Sequence, residues 1–116
     1  MGNFVEVGKT SEFKNGVMKE VEVQGEEILV ARVGDKYYAA SNRCPHMGGR
    51  LARGKLDGTT VTCHLHGSQF DLGDGHVVRW LKGSGVFSAI GKALKGPQPL
   101  TIYSVKVDGD RIIVEI

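Results

Sequence analysis

Four potential metal donors occur in two mixed pairs, Cys44-x-His46 and, after sixteen intervening residues, Cys63-x-x-His66. Each pair joins a soft thiolate to a borderline imidazole. The first sits in Cys44-Pro45-His46-Met47-Gly48-Gly49, where proline and paired glycine are poor continuations of either regular structure, so this part of the chain reads as a loop. A zinc finger usually draws a cysteine pair from one element and a histidine pair from another. Mixed pairs suit an asymmetric binuclear site, in which one metal takes both thiolates and its neighbour takes both imidazoles. Taken singly, each cysteine would read as a buried apolar thiol and each histidine as an ordinary surface or core residue. Their joint spacing reverses that. A non-redox binding module holding zinc in a Cys2His2 set is the competing reading.

The rest of the chain narrows the setting of this motif. With 116 residues, 41% hydrophobic and 24% charged, it can build one core and is too short for two ordinary ones. Met1 to Gly8 lack a basic and an apolar leader region, and no apolar run is long enough to span a bilayer, so the expectation is a soluble cytoplasmic protein with no membrane partner. Thiols kept reduced there are more often ligands than staples. A net charge of +2 and sparse aromatic-basic interleaving argue against nucleic acid. Charge is unevenly spread: residues 1–42 hold five Lys/Arg against seven Asp/Glu, and residues 43–82 hold six against three.

Short alternating or apolar runs separated by turn signals predict an all-β fold. Val17–Val23 follows Asn15-Gly16, and Gly34-Asp35 joins Ile28–Val33 to Lys36–Ala40 as a two-residue type II′ hairpin. Asp57-Gly58, Gly73-Asp74-Gly75 and Asp108-Gly109-Asp110 mark further reversals. The last joins Tyr103, Val105 and Val107 to Ile112, Val114 and Ile116. Residues 81–98 break the rhythm. Phe87, Ile90 and Leu94 there allow a turn or two of amphipathic helix packed on the sheets, with a docking or subunit contact as the functional alternative.

At these residues the chain resembles the Rieske family, most closely the small Rieske-type [2Fe-2S] ferredoxins that serve ring-hydroxylating dioxygenases. The likeness covers Asn42 to Gly49, Cys63-His64-Leu65-His66-Gly67-Ser68-Gln69-Phe70-Asp71, the glycine-containing turn that follows, and the closing hairpin from Pro99 to Ile116. The resemblance implies a single all-β Rieske domain. It would have an antiparallel sandwich or barrel base from about 1–40 and 81–116, with a small β cluster-binding subdomain of about 41–80 inserted. It also implies one [2Fe-2S] cluster per chain, with Cys44 and Cys63 on the buried ferric iron and His46 and His66 on the outer, valence-changing iron. A reductase and a terminal oxygenase would then dock at the His46/His66 tip. The chain would be an electron carrier and not itself an enzyme, since it contains no flavin, nicotinamide or mononuclear iron motif. A Rieske small subunit of an oxidoreductase complex, such as nitrite reductase, is the alternative within the family.

Formal charge explains why such ligation raises the potential. Two thiolates and two neutral imidazoles leave the oxidised cluster neutral and the reduced one with a single negative charge. Rieske centres accordingly span about −150 to +300 mV, against about −400 mV for plant-type ferredoxins. Arg43, Arg50, Arg53 and Lys55 would stabilise the reduced anion if they lie close. Respiratory members carry a loop disulfide where this chain has Gly49 and Leu65, and a Ser and a Tyr donor where it has Ser68 and Phe70. With one donor kept and one lost, a low to intermediate potential is expected. Met47 would shield the cluster, and Gly48, Gly49 and Gly67 would let backbone amides approach the sulfides or simply make tight turns. Trp80 and Phe70 are read as packing under the ligand loops, His64 as solvent-facing, and His76 as an ordinary strand residue.

Overall fold

The computed structural model describes residues 4–44, 50–64, 67–79 and 99–116. Among these, ten strands follow in order: β1 (Phe4–Lys9), β2 (Met18–Val23), β3 (Glu26–Val33), β4 (Lys36–Ser41), β5 (Lys55–Asp57), β6 (Thr60–Thr62), β7 (Gln69–Asp71), β8 (Val77–Arg79), β9 (Ile102–Asp108) and β10 (Arg111–Glu115). Every pairing is antiparallel. One sheet has the order β1-β10-β9-β4-β3-β2, and a second, smaller one has β5-β6-β7-β8. The larger sheet curls until β1 approaches β2, giving a nearly closed barrel. The all-β class and the pairing of both chain ends into one base are as the sequence predicts.

The architecture turns on β3. Its run Ile28-Leu29-Val30-Ala31 is fully buried at every position, as a strand covered on both faces must be. Side chains alternate across a strand, so Ile28 and Val30 join Phe13, Val23, Ala39, Ile112 and Val114 in the barrel interior. Leu29 and Ala31 turn the other way and pack with Ala40, Cys44, Leu51, Val61, Cys63, Phe70, Leu72 and Leu100. β3 and β4 are thus a wall shared by two cores. The second core lies between that wall and the small sheet, and it contains both cysteines.

Turns set the registers. Val23 opposes Glu26, leaving Gln24-Gly25 as a two-residue loop with φ of 51° and 82°. Two consecutive positive values are those of a type I′ turn, which matches the twist of the flanking strands. Val33 opposes Lys36, so the expected Gly34-Asp35 hairpin is present, with Gly34 at φ 62°. The small sheet is tied back where the chain re-enters the base: the Leu100 amide donates to the Gly75 carbonyl at 2.8 Å.

The sequence reading and the structure differ at three places. β1 was not anticipated, and it pairs with β10 across a register shift between Glu6 and Gly8. His76 lies in the turn before β8 and not in a strand, with its amide donating to the Asp74 carboxylate at 2.9 Å. That bond, with the His76 ring beside it, holds the Asp74 carboxyl below its ordinary range. Strand β3 starts two residues earlier than the apolar run alone indicates. The helix expected around Phe87, Ile90 and Leu94, and Trp80, lie outside the described residues.

Candidate metal centre

Cys44 follows β4 after Asn42 and Arg43, and Cys63 follows directly on β6. Both are 2% exposed, both are thiols, and both belong to the second core. Cys44 and Cys63, which come from two different stretches of the chain, are therefore brought together by that core. His46, Met47, Gly48, Gly49 and His66 lie outside the described residues. Among the described residues no group of three metal donors assembles, since only the cysteine half of the set is described.

Each loop is closed at its foot. In the first, Arg43 and Arg50 form an antiparallel bridge, and a short 3-10 turn, Leu51–Arg53, leads out to β5. In the second, the Cys63 amide donates to the Ser68 carbonyl at 2.8 Å and the Gly67 amide to the Cys63 carbonyl at 3.1 Å. Gly67 has φ 74°, which an L side chain rarely adopts. Its amide is thus engaged within the loop, so the tight-turn role is the one observed. Ser68 and Phe70 are both fully buried, and Phe70 packs in the core that holds the two cysteines. His64 is exposed.

Asn42 fastens the first loop to the wall. It is 1% exposed, and a buried amide needs partners. Its side-chain oxygen accepts from the Ala52 amide at 2.8 Å, its side-chain nitrogen donates to Glu20 Oε1 at 3.2 Å, and its carbonyl accepts from the Leu51 amide at 2.9 Å. Its own amide donates to the Glu27 carbonyl at 3.0 Å. Residues on either side of the loop are therefore anchored through one side chain. The sequence reading included Asn42 in the motif without giving it a role, and the signal was its place two residues before a ligand-type cysteine.

Gly54 makes the second fastening. A Cβ there would stand 1.8 Å from the Thr62 carbonyl oxygen, so only glycine lets the exit of the first loop lie against the backbone that leads into Cys63.

The arginines of the first loop are paired with carboxylates of β2 and β3. Glu27 pairs with Arg43 and, at 3.4 Å, with Arg50, while Glu20 pairs with Arg53 at 3.2 Å. The Asn42 hydrogen bond, and beyond it the Arg53 and Arg50 charges, hold the Glu20 carboxyl below its ordinary range against a smaller opposing effect of burial. Each of these arginines is matched to a carboxylate, and the pairs tie the first loop to β2 and β3. Lys55 and Arg79 are in no ion pair among the described residues; Arg79 Nε donates to the Gly67 carbonyl at 3.1 Å.

The donor chemistry fits an iron-sulfur group: two thiolates shielded from water in an apolar core, on tightly closed loops. The family model for the Rieske [2Fe-2S] domain matches residues 3–99. The ferredoxin component of the naphthalene 1,2-dioxygenase system of Pseudomonas putida is 28% identical over 115 residues, covering 97% of this chain and 95% of that protein. The ferredoxin of carbazole 1,9a-dioxygenase from Nocardioides aromaticivorans superposes with a TM-score of 0.79 at 31% identity, over 97% and 96% of the two chains. A chain from the complex of reduced oxygenase and oxidised ferredoxin in carbazole 1,9a-dioxygenase superposes with a TM-score of 0.78 at 26% identity, over 97% and 92%. A family match over most of the chain, on a fold that sets both cysteines in one core, makes the protein a member of the Rieske [2Fe-2S] domain family.

Proposed function

We propose that this chain is a one-electron carrier that takes electrons from a reductase and delivers them to a terminal oxygenase, using one [2Fe-2S] cluster held by Cys44, Cys63, His46 and His66. The observation that carries the proposal is the convergence of Cys44 and Cys63, from two separate loops, in a single buried core. The relatives support the role: those matched over nearly their whole length are ferredoxin components of dioxygenase systems, and one similar chain comes from a complex of ferredoxin with oxygenase. When bound, the cluster supplies reversible acceptance of a single electron.

The chain's own residues do the rest. The cysteines anchor the group and exclude water from its inner side. Asn42 and the Glu20 and Glu27 pairs hold the first loop to β2 and β3, and Gly54 lets it lie against the strand that leads into Cys63, which limits the rearrangement that a change of charge would otherwise require. Met47, Gly48 and Gly49 complete the first loop in this proposal, and Gly67 and Ser68 the second. With the two histidines on the outer iron, the His46/His66 tip is the docking point for both partners. A redox potential in the low to intermediate part of the Rieske range follows from Phe70, whose ring cannot donate a hydrogen bond where respiratory members have a tyrosine. No helix among the described residues is long and apolar enough to cross a membrane, and the proposal places the protein in the cytoplasm beside its partners.

Absorption and EPR spectra of the anaerobically purified, dithionite-reduced protein test this reading, followed by a redox titration. A coloured protein with a rhombic signal from the reduced state is expected. A colourless, EPR-silent protein that contains zinc would overturn it.

A further inference from the structure

The small sheet is electrically polarised along its strands. Lys55 opposes Thr62 and Thr62 opposes Gln69 in one row, and Gln69 is paired with Arg79 across a register shift, so the four residues lie in line across the four strands. The row is at the ligand-loop end: Thr62 precedes Cys63, Gln69 follows Ser68, and Arg79 bonds the Gly67 carbonyl. Directly opposed residues share a face, and so do residues two apart on a strand. Lys55, Thr62 and Gln69 thus face away from the core formed by Val61 and Phe70. Lys55 and Arg79, at the two ends of the row, are exposed. About 7 Å further along the same face the next row reads Asp57, Thr60, Asp71, and Asp74 lies in the turn beyond. The sheet is positive beside the ligand loops and negative at its far end.

On the barrel side of the loops the charges balance. Glu20, Glu22 and Glu27 alternate or pair on one face of β2 and β3, and Arg43, Arg50 and Arg53 stand against Glu20 and Glu27. Among the described residues, Lys55 and Arg79 remain at this end in no ion pair.

We infer that the ligand-loop end selects a protein partner whose docking face is rich in carboxylates, with Lys55 and Arg79 as the residues that steer it. The inference rests on the electron-carrier reading above and names the chemistry of its partner. A positive rim around the electron exit attracts an anionic face and raises its encounter rate, and the distant aspartates turn the molecule so that this end leads. Steering of this kind weakens as the screening length falls from about 30 Å at 0.01 M salt to about 8 Å at 0.15 M.

The test uses the reduced holoprotein in stopped flow, with two small one-electron oxidants of opposite charge, tris(oxalato)cobaltate(III) and hexaammineruthenium(III). The expected result is that the anionic oxidant slows several-fold between those two salt concentrations, while the cationic one does not slow. Poly-L-glutamate should compete with the anionic oxidant at low salt. The double substitution Lys55→Glu with Arg79→Glu should abolish both effects. Lys36→Glu with Lys106→Glu changes net charge equally, but lies at the opposite end of β4 and β9, and should largely preserve both. Rates that ignore salt, no competition by poly-L-glutamate, or an equal response to the two double substitutions would overturn the inference. A protein with no redox-active centre would overturn the electron-carrier reading itself, and is recognised by its missing colour before any rate is measured.

Discussion

Asn42 anchors the first ligand loop and Gly54 seats it against the second, each by a property that few other residues share. Asn42 offers an acceptor to the Ala52 amide and a donor to Glu20 in a nearly water-free place. Leucine has the same branched outline, with bulkier methyl groups, and neither polar group. Asn42→Leu should therefore leave the Ala52 amide without a partner and weaken folding by about 1–3 kcal/mol, seen as a lower denaturant midpoint with unchanged slope and as less iron per chain. Asn42→Asp retains the acceptor but sets a second carboxylate against Glu20, so it should not rescue the loss. At Gly54 the difficulty is space. The added methyl of Gly54→Ala would meet the Thr62 carbonyl at 1.8 Å, and backbone cannot swing aside as a flexible side chain can. Displacing it moves the entry to Cys63, and a cost of at least about 1–3 kcal/mol is expected from overpacking alone. Soluble yield and cluster content measured together check this: full cluster loading at wild-type stability would contradict it.

Among the elements, the first ligand loop depends on a carboxylate whose titration folding shifts, that of Glu20. Glu20 has its carboxyl held below the ordinary range by Asn42 and by Arg53 and Arg50, so folding favours the ionised form. The stabilisation is complete above the unfolded-state value and is lost as the pH falls through the lower folded value. Acidification across that window should loosen the loop, and Glu20→Gln should remove this part of the pH dependence. The check is bleaching of the visible absorption against pH in the two proteins; coincident curves would contradict it. Legibility in the sequence also divides by element. Hairpins with a glycine turn and five or more alternating residues, β9 with β10 above all, were readable because period and turn chemistry agree. The three-residue strands β5 to β8 are too short to show a period, and only their turns were visible. β1 was missed because Phe4–Lys9 pairs with the far end of the chain, with no adjacent turn to announce it. At the candidate metal centre, donor types and spacing singled out Cys44 and Cys63, which the structure buries in one core. The roles of Glu20 and Glu27 were hidden, because both lie in strands remote in sequence from the loop they brace.

For the whole molecule, the separation of two cores by one wall decides what a bound cluster stabilises. Both cysteines lie in the core between β3, β4 and the small sheet, and none lies in the barrel interior. A group that ties Cys44 to Cys63 therefore stabilises the small sheet and the loops directly, while Ile28, Val30, Ile112 and Val114 pack without reference to it. Removing the cluster with a chelator under reducing conditions should give a protein that keeps the barrel. In hydrogen exchange, amides of β5 to β8 should lose at least about tenfold in protection, as the less stable cooperative unit opens, while those of β3 and β10 change much less. Leu29, Ala31 and Ala40 lie on the side of the wall that faces the cysteines, so any structural consequence of cluster loss must cross β3 and β4 to reach the barrel. Because successive residues of β3 serve the two cores in turn, the backbone hydrogen bonds of that strand belong to both. Equal loss of protection in barrel and small sheet would mean that the wall transmits the disturbance and that the two cores fold as one unit.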